Sequence, residues 1–517
     1  MKKPPYLNRD TQEKGPQYLE DLATGYWFSE VLFTAIELDL FSLLASAGKN
    51  AAEIAAALKL DARGTERFLQ ALCSLGLVTC GGQVYYNTKI ASEYLVQGKA
   101  NYQGNSILWR KYLAAPWGGL VNCLKTGGRI FEAAPEESQQ ITERISRYID
   151  AMDNVARIKT REILPLFNDY NLAGNILDVG AGSGAISAGF LEHFAGTRAT
   201  LMDLPDILNY TGQLLRRQTI AGRITLCPAN ILDPWPVPKG SFDLLILSNV
   251  LHAYAEDEAG HVLGEAEDCL KPEGLLVIHD FFLEHYPEKA ALFDLNMLIN
   301  TYNGKVFTAK WVSRLLAGKN LYATDLIPLA SDTGVLIAAK NAGRLAKIHL
   351  HPILRLAAKI KNLGFVNVTS IAVEIIHIPD WADQRCQYGC AEFGRPRCPP
   401  NSPAPARTRE MLKDYSRALL LEGEPPTRDF QRQVLAAEKE AFQGGYYKAF
   451  AFWAGPCSLC QPPCAAGEIC RNPRDARPSM EGAGIDVFAT VRRAGFPLRP
   501  LREKDDYIKY FALLLLE

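Results

Sequence analysis

The chain has 517 residues, 48% hydrophobic and 22% charged, with a formal net charge of −1, which fits about three domains of ordinary globular composition. So even a balance excludes a global field that draws the chain to nucleic acid or an anionic membrane, and no run of about 18 uncharged apolar residues is present to span a bilayer. The opening MKKPPYLNRDTQEKG lacks the apolar stretch of a signal peptide, so the expected compartment is the cytoplasm, where clustered cysteines are metal ligands rather than disulfides.

In chain order, YWFSEVLFTAIELDLFSLLA repeats apolar residues at helical spacing. AAEIAAALKL and ARGTERFLQALCSLGLV predict a helix-turn-helix, and VTCGGQVYYNT predicts a hairpin turning at Gly81-Gly82. The sum is a winged helix within residues 1–102. Its second helix offers Arg63 and Arg67 beside the acidic Glu66, a poor phosphate-binding face. Subunit pairing, hence a homodimer, is the expected role. Residues 101–172 read as mostly helical.

From 173 to 341 strands and helices alternate: NILDVG, ATLMDLP, RITLCPA, FDLLILS, LLVIHD and GVLIAAK are strands, with helical segments between most of them. That rhythm predicts an α/β, doubly wound, mainly parallel sheet over the domain 103–342. The basic stretch NAGRLAKIHLHPILRLAAKIKNLG reads as helical and opens the last domain, 343–517.

The first strand of the sheet ends in Leu177-Asp178-Val179-Gly180-Ala181-Gly182-Ser183-Gly184. Alternate glycines let the backbone approach a ligand without a Cβ in the way. Gly180, Gly182 and Ala185 also fit a dinucleotide pattern. Asp178 favours S-adenosylmethionine, because a carboxylate just before the glycines suits a cationic amino group and is misplaced beside a pyrophosphate. Asp203, closing the next strand, suits ribose hydroxyls. Asn230 with Ile231, and Ser248 with Asn249, follow the third and fourth strands, where ligands bind in such sheets.

These residues resemble a family. The winged-helix region, LDVGAGSG, Asp203-Leu204-Pro205, NVLHAYAEDE and LKPEGLLVIHD are similar to the S-adenosylmethionine-dependent O-methyltransferases of the caffeate and hydroxyneurosporene type. The resemblance covers the first 341 residues. It implies a winged-helix dimerisation domain, a Rossmann-like methyltransferase domain, and a cofactor site that includes Leu204. It also implies a catalytic base at His252, oriented by Asp280. Methyl transfer from a sulfonium needs a deprotonated nucleophile, and histidine titrates near neutral pH. Two departures stand out. The second acid of plant members is missing from Gly304-Lys305-Val306-Phe307-Thr308, which points to an acceptor more acidic than a phenol, such as a thiol or enol. The adenine-contacting aspartate is replaced in Ala229-Asn230, whose side-chain carbonyl still accepts. By analogy the substrate is lined by Met152, Phe293, Asn296, Met297 and Phe307.

Seven of twelve cysteines crowd the last third: Cys386, Cys390 and Cys398, then Cys457, Cys460, Cys464 and Cys470. The scattered Cys73, Cys80, Cys123, Cys227 and Cys269 read as small hydrophobes. CQYGC, CPP, CSLCQPPCAAGEIC and ARPSMEGAGIDVFATVRRAGF resemble an uncharacterised family of predicted metal-binding proteins, implying a Cys-rich α+β metal-binding domain. Four thiolates within a short proline-flanked run are closer to ferredoxin practice than to paired zinc ligands, so an iron–sulfur cluster of the 4Fe-4S type is expected, with zinc as the alternative. The first three cysteines complete the same site or hold a cluster with one open iron; His377 is a candidate fourth ligand. Arg395, Arg397, Arg407 and Arg409 flank Cys398 as a candidate anion site. GYYKAFAFW, residues 445–453, reads as a strand whose aromatics pack around the metal.

The expectation is a methyltransferase acting on an oxygen or sulfur of a small molecule. The alternatives are an S-adenosylmethionine-binding redox sensor, or a cysteine domain that is a structural zinc module.

Overall fold

The computed structural model describes residues 16–130, 138–216, 218–382, 384–496, 498 and 509–517; the polar opening segment lies outside them. The chain forms two compact units, Met1–His349 and Leu350–Glu517.

In the first unit, helices Tyr26–Glu37, Ala51–Leu58 and Ala62–Ser74 pack with strands β1 (Lys49–Asn50), β2 (Val78–Gly81) and β3 (Val84–Asn87), paired in the order β1-β3-β2. Asn50 and Glu53 cap the second of these helices reciprocally and Asp61 caps the third, satisfying N–H groups that a helix start leaves open. The β2–β3 hairpin turns one residue later than the sequence suggested. Gly81 pairs with Val84, so Gly82 (φ 59°) and Gln83 (φ 70°) are the central residues. Two positive φ values in a two-residue loop match the right-handed strand twist. Leu69, Leu72, Phe41 and Ile54 fill the core here. Leu19 and Leu22 on helix Pro16–Ala23, and Tyr26, Trp27 and Phe28 on helix Tyr26–Glu37, stay exposed.

The main sheet runs β10-β11-β8-β7-β4-β5-β6, with β9 also paired to β11. Its strands are β4 (Gly174–Val179), β5 (Thr197–Asp203), β6 (Ile224–Pro228), β7 (Phe242–Ser248), β8 (Leu270–Asp280), β9 (Tyr322–Ala323), β10 (Ile327–Pro328) and β11 (Gly334–Ala339). Neighbours from β6 to β8 are parallel; β11 closes the edge antiparallel to β8. Every residue of β11, and the second half of β8, is buried. Such uninterrupted apolar runs are what a sheet covered on both faces requires. Each large apolar side chain so buried contributes about 1.5–3 kcal/mol.

The stretch read as one basic helix is two, Ala342–Leu345 and Pro352–Lys361. A residue before proline is pushed out of the helical region, and Pro352 itself suits a first helical position. In the second unit β12 (Asn367–Ala372), β13 (Arg417–Gly423), β14 (Phe450–Phe452) and β15 (Tyr510–Leu515) form an antiparallel sheet in the order β12-β13-β15-β14. One face carries helix Thr427–Gln443, through Phe430, Val434 and Ala437. The other carries Met480, Ile485 and Val491. The strand expected at 445–453 is shorter: Gly445 takes φ 97° and residues 445–449 turn before β14. Among the described residues no helix is long and apolar enough to cross a membrane.

Candidate functional site

Parallel strands end together, so β4, β5, β7 and β8 deliver their terminal residues to one edge of the sheet. Gly180, Gly182 and Gly184 all take positive φ (66°, 54° and 73°), a region that costs a side-chain-bearing residue. A Cβ on Gly180 would meet Val250 at 2.8 Å and one on Gly184 would meet Leu201 at 2.9 Å, whereas one on Gly182 would meet nothing within 4 Å. Two glycines therefore seat the loop and the third keeps its outer face open. The Gly182 N–H donates to Asp203 Oδ2 at 2.9 Å, and the Leu204 N–H to Asp203 Oδ1 at 2.7 Å. Burial raises the Asp203 pKa, and these two N–H bonds oppose the rise.

Asp178 is 3% exposed. It accepts from Ser187 Oγ at 2.7 Å, and burial, reinforced by the Asp203 charge, raises its pKa to about 7. The Ala229 N–H donates to the Asp203 carbonyl at 2.9 Å, tying the Asn230-Ile231 turn to the same edge. Asn230 Oδ1 accepts from the Leu232 N–H at 3.1 Å, and Ile231 is buried. Leu204 stays half exposed. Asn249 holds φ 56°, and its buried Oδ1 has no hydrogen-bond partner.

After β7 the chain makes a short 3-10 turn, Leu251–Ala253. It brings His252 Nδ1 to 2.5 Å from Asp280 Oδ1 at the end of β8. Asp280 Oδ1 also accepts from the Phe281 N–H at 2.8 Å, and Oδ2 takes the His252 N–H at 3.3 Å. The imidazole meets Phe293 edge-on at 5.1 Å between centroids, and Phe293 stacks on Phe281 at 3.9 Å. With Nδ1 facing the carboxylate, Nε2 is the nitrogen available to accept a proton.

The other candidate lining residues divide. Asn296 is buried and accepts from Trp117 Nε1 at 3.1 Å and Asn300 Nδ2 at 3.0 Å. Met297 is buried on the same helix, Pro287–Asn300, and Met152 is half-buried on helix Ser138–Ile163. Phe307 instead stacks on Trp311 at 4.2 Å within the sheet core. An open cleft of about 1330 Å³ is flanked by the same helices and lined by Trp109, Tyr112, Arg147, Asp150, Asn300 and Tyr302. Val306, in the place of the missing acid, is 2% exposed.

Three features escaped the sequence. A Cβ on Gly304 would lie 2.5 Å from the His252 carbonyl and 2.9 Å from Ala253 C, so this glycine permits the turn that carries the histidine. His279 is fully buried between Ser248 Oγ and Thr333 Oγ1, each at 2.8 Å. Burial, then the nearby Lys159 charge, lowers its pKa to about 3, so it stays neutral. Tyr148 and Tyr254 lie near enough to feel the Asp203 charge, and burial pushes Tyr148 up to about 12.

In the second unit Cys398 lines one small cavity, about 20 Å³, together with Cys457, Cys460, Cys464 and Cys470. Cys386 and Cys390 lie near Cys398; burial first, then their charges and that of Glu392, raise the Cys398 thiol to about 11. The two cysteine loops are joined by the Gly467 N–H donating to the Gly394 carbonyl at 3.0 Å. Fully buried Gln431 pins the second loop: Nε2 donates to the Ala454 and Pro456 carbonyls, and Oε1 accepts from Ser458. Among the described residues no three His, Cys, Asp or Glu side chains already converge around a point that would hold an ion. Five thiols nevertheless line the cavity, beside Asn472, and such a soft set fits a thiophilic metal. His377 lies elsewhere, beside Asp486 and Thr490. Of the arginines, Arg395 and Arg397 line the cysteine cavity, whereas Arg409 is taken up by Asp380 at 2.7 Å.

Comparison with known proteins matches three regions of the chain. Residues 20–97 match the O-methyltransferase dimerisation domain and 122–320 the O-methyltransferase domain. Residues 369–516 match the family described as predicted metal-binding protein (DUF2284). A 3-hydroxy-5-methyl-1-naphthoate 3-O-methyltransferase of Streptomyces sahachiroi is 29% identical over 299 residues, 57% of this chain and 86% of that one. Human acetylserotonin O-methyltransferase is 28% identical over 312 residues, 56% of this chain and 88% of that one. The crystal structure of the human N-acetylserotonin methyltransferase with S-adenosylmethionine superposes with a TM-score of 0.56 at 25% identity, covering 65% of this chain and all of the other. The chain carries both domains of the O-methyltransferases and is an S-adenosylmethionine-dependent methyltransferase. To these it joins a domain of the predicted metal-binding family.

Proposed function

We propose that the chain works as a homodimer, transferring the methyl group of S-adenosylmethionine to an oxygen or sulfur of a small molecule, with His252 as base. The observation that carries this reading is the His252–Asp280 pair at 2.5 Å, set at the sheet edge that also holds the glycine loop. The open face of Gly182, the carboxylates of Asp178 and Asp203 and the unpartnered Asn249 Oδ1 fit the cofactor. S-adenosylmethionine, when bound, supplies an electrophilic methyl on a sulfonium.

The chain's own residues do the rest. Asp178 would hold the cationic amino group of the cofactor and Asp203 its ribose hydroxyls. His252 Nε2 takes the acceptor's proton, while Asp280 fixes the tautomer through Nδ1 and stabilises the imidazolium. Phe281 and Phe293 keep water from the ring. With Val306 where a second acid would sit, the base works alone, which suits an acceptor that ionises readily. The exposed Leu19, Leu22, Tyr26, Trp27 and Phe28 support pairing of two copies through the dimerisation domain. The seven cysteines are proposed to hold an iron–sulfur cluster. Supplying purified protein with methyl-labelled S-adenosylmethionine and a panel of thiols, enols and phenols tests the reading. Label in at least one acceptor supports it; cofactor binding with no transfer to any acceptor counts against it.

Three further results are expected here. Asp178 is half protonated near pH 7 in the free protein, and a cationic ligand favours its ionised form. Binding should therefore release a proton and tighten by about tenfold per pH unit up to pH 7, levelling above it. Calorimetry across pH 5.5–8.5 reads this directly, and Asp178→Asn should bind weakly with no such slope. By the same linkage the free fold loses stability as pH rises from the ordinary carboxylate range to about 7, because the native state holds the proton longer. Gly304→Ala should push the His252 turn aside, costing about 1–3 kcal/mol in stability and lowering kcat with little change in cofactor affinity.

A further inference from the structure

Four buried side-chain polar atoms in the described part of the second unit have no hydrogen-bond partner: Glu392 Oε2, Arg397 Nε, Arg428 Nε and Trp453 Nε1. All four belong to the surroundings of the cysteines. Glu392 lies between Cys390 and Cys398 and is ion-paired with Arg395, so its charge is answered. The other three are N–H donors. Arg397 lines the cavity with Cys398 and the second cysteine group; its Nη2 donates to the Pro473 carbonyl at 3.2 Å, which leaves Nε unsatisfied. Arg428 is anchored by Nη2 to the Leu459 carbonyl at 3.1 Å, between Cys457 and Cys460. Trp453 is fully buried, in the core cluster against which Cys457 and Cys470 pack.

A buried donor without an acceptor is destabilising, and native folds rarely leave one without a reason. Among the described residues of this unit, no other buried side-chain nitrogen or oxygen lacks a partner. What the three donors need is an acceptor that is large, anionic and close to the thiolates. An iron–sulfur group supplies sulfide and thiolate sulfur of that kind, and hydrogen bonds to those sulfurs are one of the levers on its potential.

We infer that Arg397, with Arg428 and Trp453, donates N–H bonds to the sulfur of an iron–sulfur group held by these cysteines, and so sets its reduction potential. This rests on the iron–sulfur reading above. Reduction adds one electron, taken from the titrant, and makes or breaks no bond. The reduced form carries the extra negative charge, so a guanidinium donor stabilises it and raises the potential. Arg397 is then a positioning and tuning residue rather than a ligand.

The test is a dithionite titration of the anaerobically purified full chain, followed by visible absorption. Arg397→Met should shift the reduction equilibrium at least tenfold toward the oxidised form, about 59 mV for a one-electron couple. Arg397→Lys, which restores charge without the Nε–H, should fall between the two. Arg432→Met, on the exposed side of helix Thr427–Gln443, should match the parent. An Arg397→Met potential equal to the parent's, at full iron content, overturns the inference. If Arg397→Met no longer holds iron, Trp453→Phe removes one N–H without touching charge; a lowered potential supports the inference and an unchanged one overturns it. Stoichiometric zinc without iron or sulfide overturns the iron–sulfur reading itself, and this inference with it.

Discussion

Cys457→Ser is expected to empty the second unit of metal and to lower its melting temperature sharply. Residues 454–478 contain no helix or strand, and so long a structureless loop is unusual inside a compact domain. Its protein anchors are Gln431 to the Ala454–Ser458 backbone, Arg428 to Leu459, Gly467 to Gly394, Arg397 to Pro473, the Trp453 N–H to Pro478, and Arg477 paired with Glu438. Each such bond contributes about 1 kcal/mol net, far less than ordering this many residues costs at about 1–2 kcal/mol each. Metal ligation offsets part of that cost, since structural zinc sites contribute about 10–16 kcal/mol. The fold of residues 350–517 should therefore depend on the metal, and a chelator should act as the substitution does. Metal analysis with a thermal melt checks this. A variant that keeps the parent's melting temperature after losing its metal would show that the cysteines do not hold the loop.

Asp280→Asn should lower kcat by about 10²–10⁴-fold, by the precedent of a buried carboxylate orienting a catalytic histidine. Both carboxylate oxygens accept: Oδ1 takes His252 Nδ1 and the Phe281 N–H, and Oδ2 takes the His252 N–H. An amide must either turn its NH2 toward those N–H groups or present it to Nδ1. The first breaks backbone hydrogen bonds at a site 3% exposed, and the second places the proton on Nε2, where the base must be empty. Cofactor affinity should change little, because Asp178 and Asp203 hold that end. Rates with saturating cofactor and acceptor check the expectation, and a kcat within threefold of the parent's would contradict it.

Much of the methyltransferase unit was legible because its chemistry lies at strand ends. NILDVG, FDLLILS and LLVIHD are apolar runs with abrupt polar ends, so Asp178, Ser248 and Asp280 announce themselves. The pairing of Ser248 with His279 then sets His252 beside Asp280. What stayed hidden depends on contacts distant in sequence. Gly304 matters for the 2.5 Å between its absent Cβ and a carbonyl 52 residues earlier. His279 reads as part of an apolar strand and becomes a bridge once β11 brings Thr333 alongside. Phe307, just ahead of helix Ala309–Gly318, stacks on Trp311 of that helix, a contact that its sequence neighbours do not announce. In the cysteine unit the spacing announced a thiolate set, but only the fold joins Cys398 to the second group, through loops that share no periodicity. The strand expected from Gly445 begins only at Phe450, after a turn in which that glycine takes φ 97°.

The central claim is that His252 removes the acceptor's proton. The most direct test is single-turnover methyl transfer by His252→Gln, with the cofactor dissociation constant measured on the same preparation. The expected result is a rate at least a hundredfold below the parent's, with cofactor affinity within a few-fold. Transfer at the parent's rate would contradict the account and move the base to another residue.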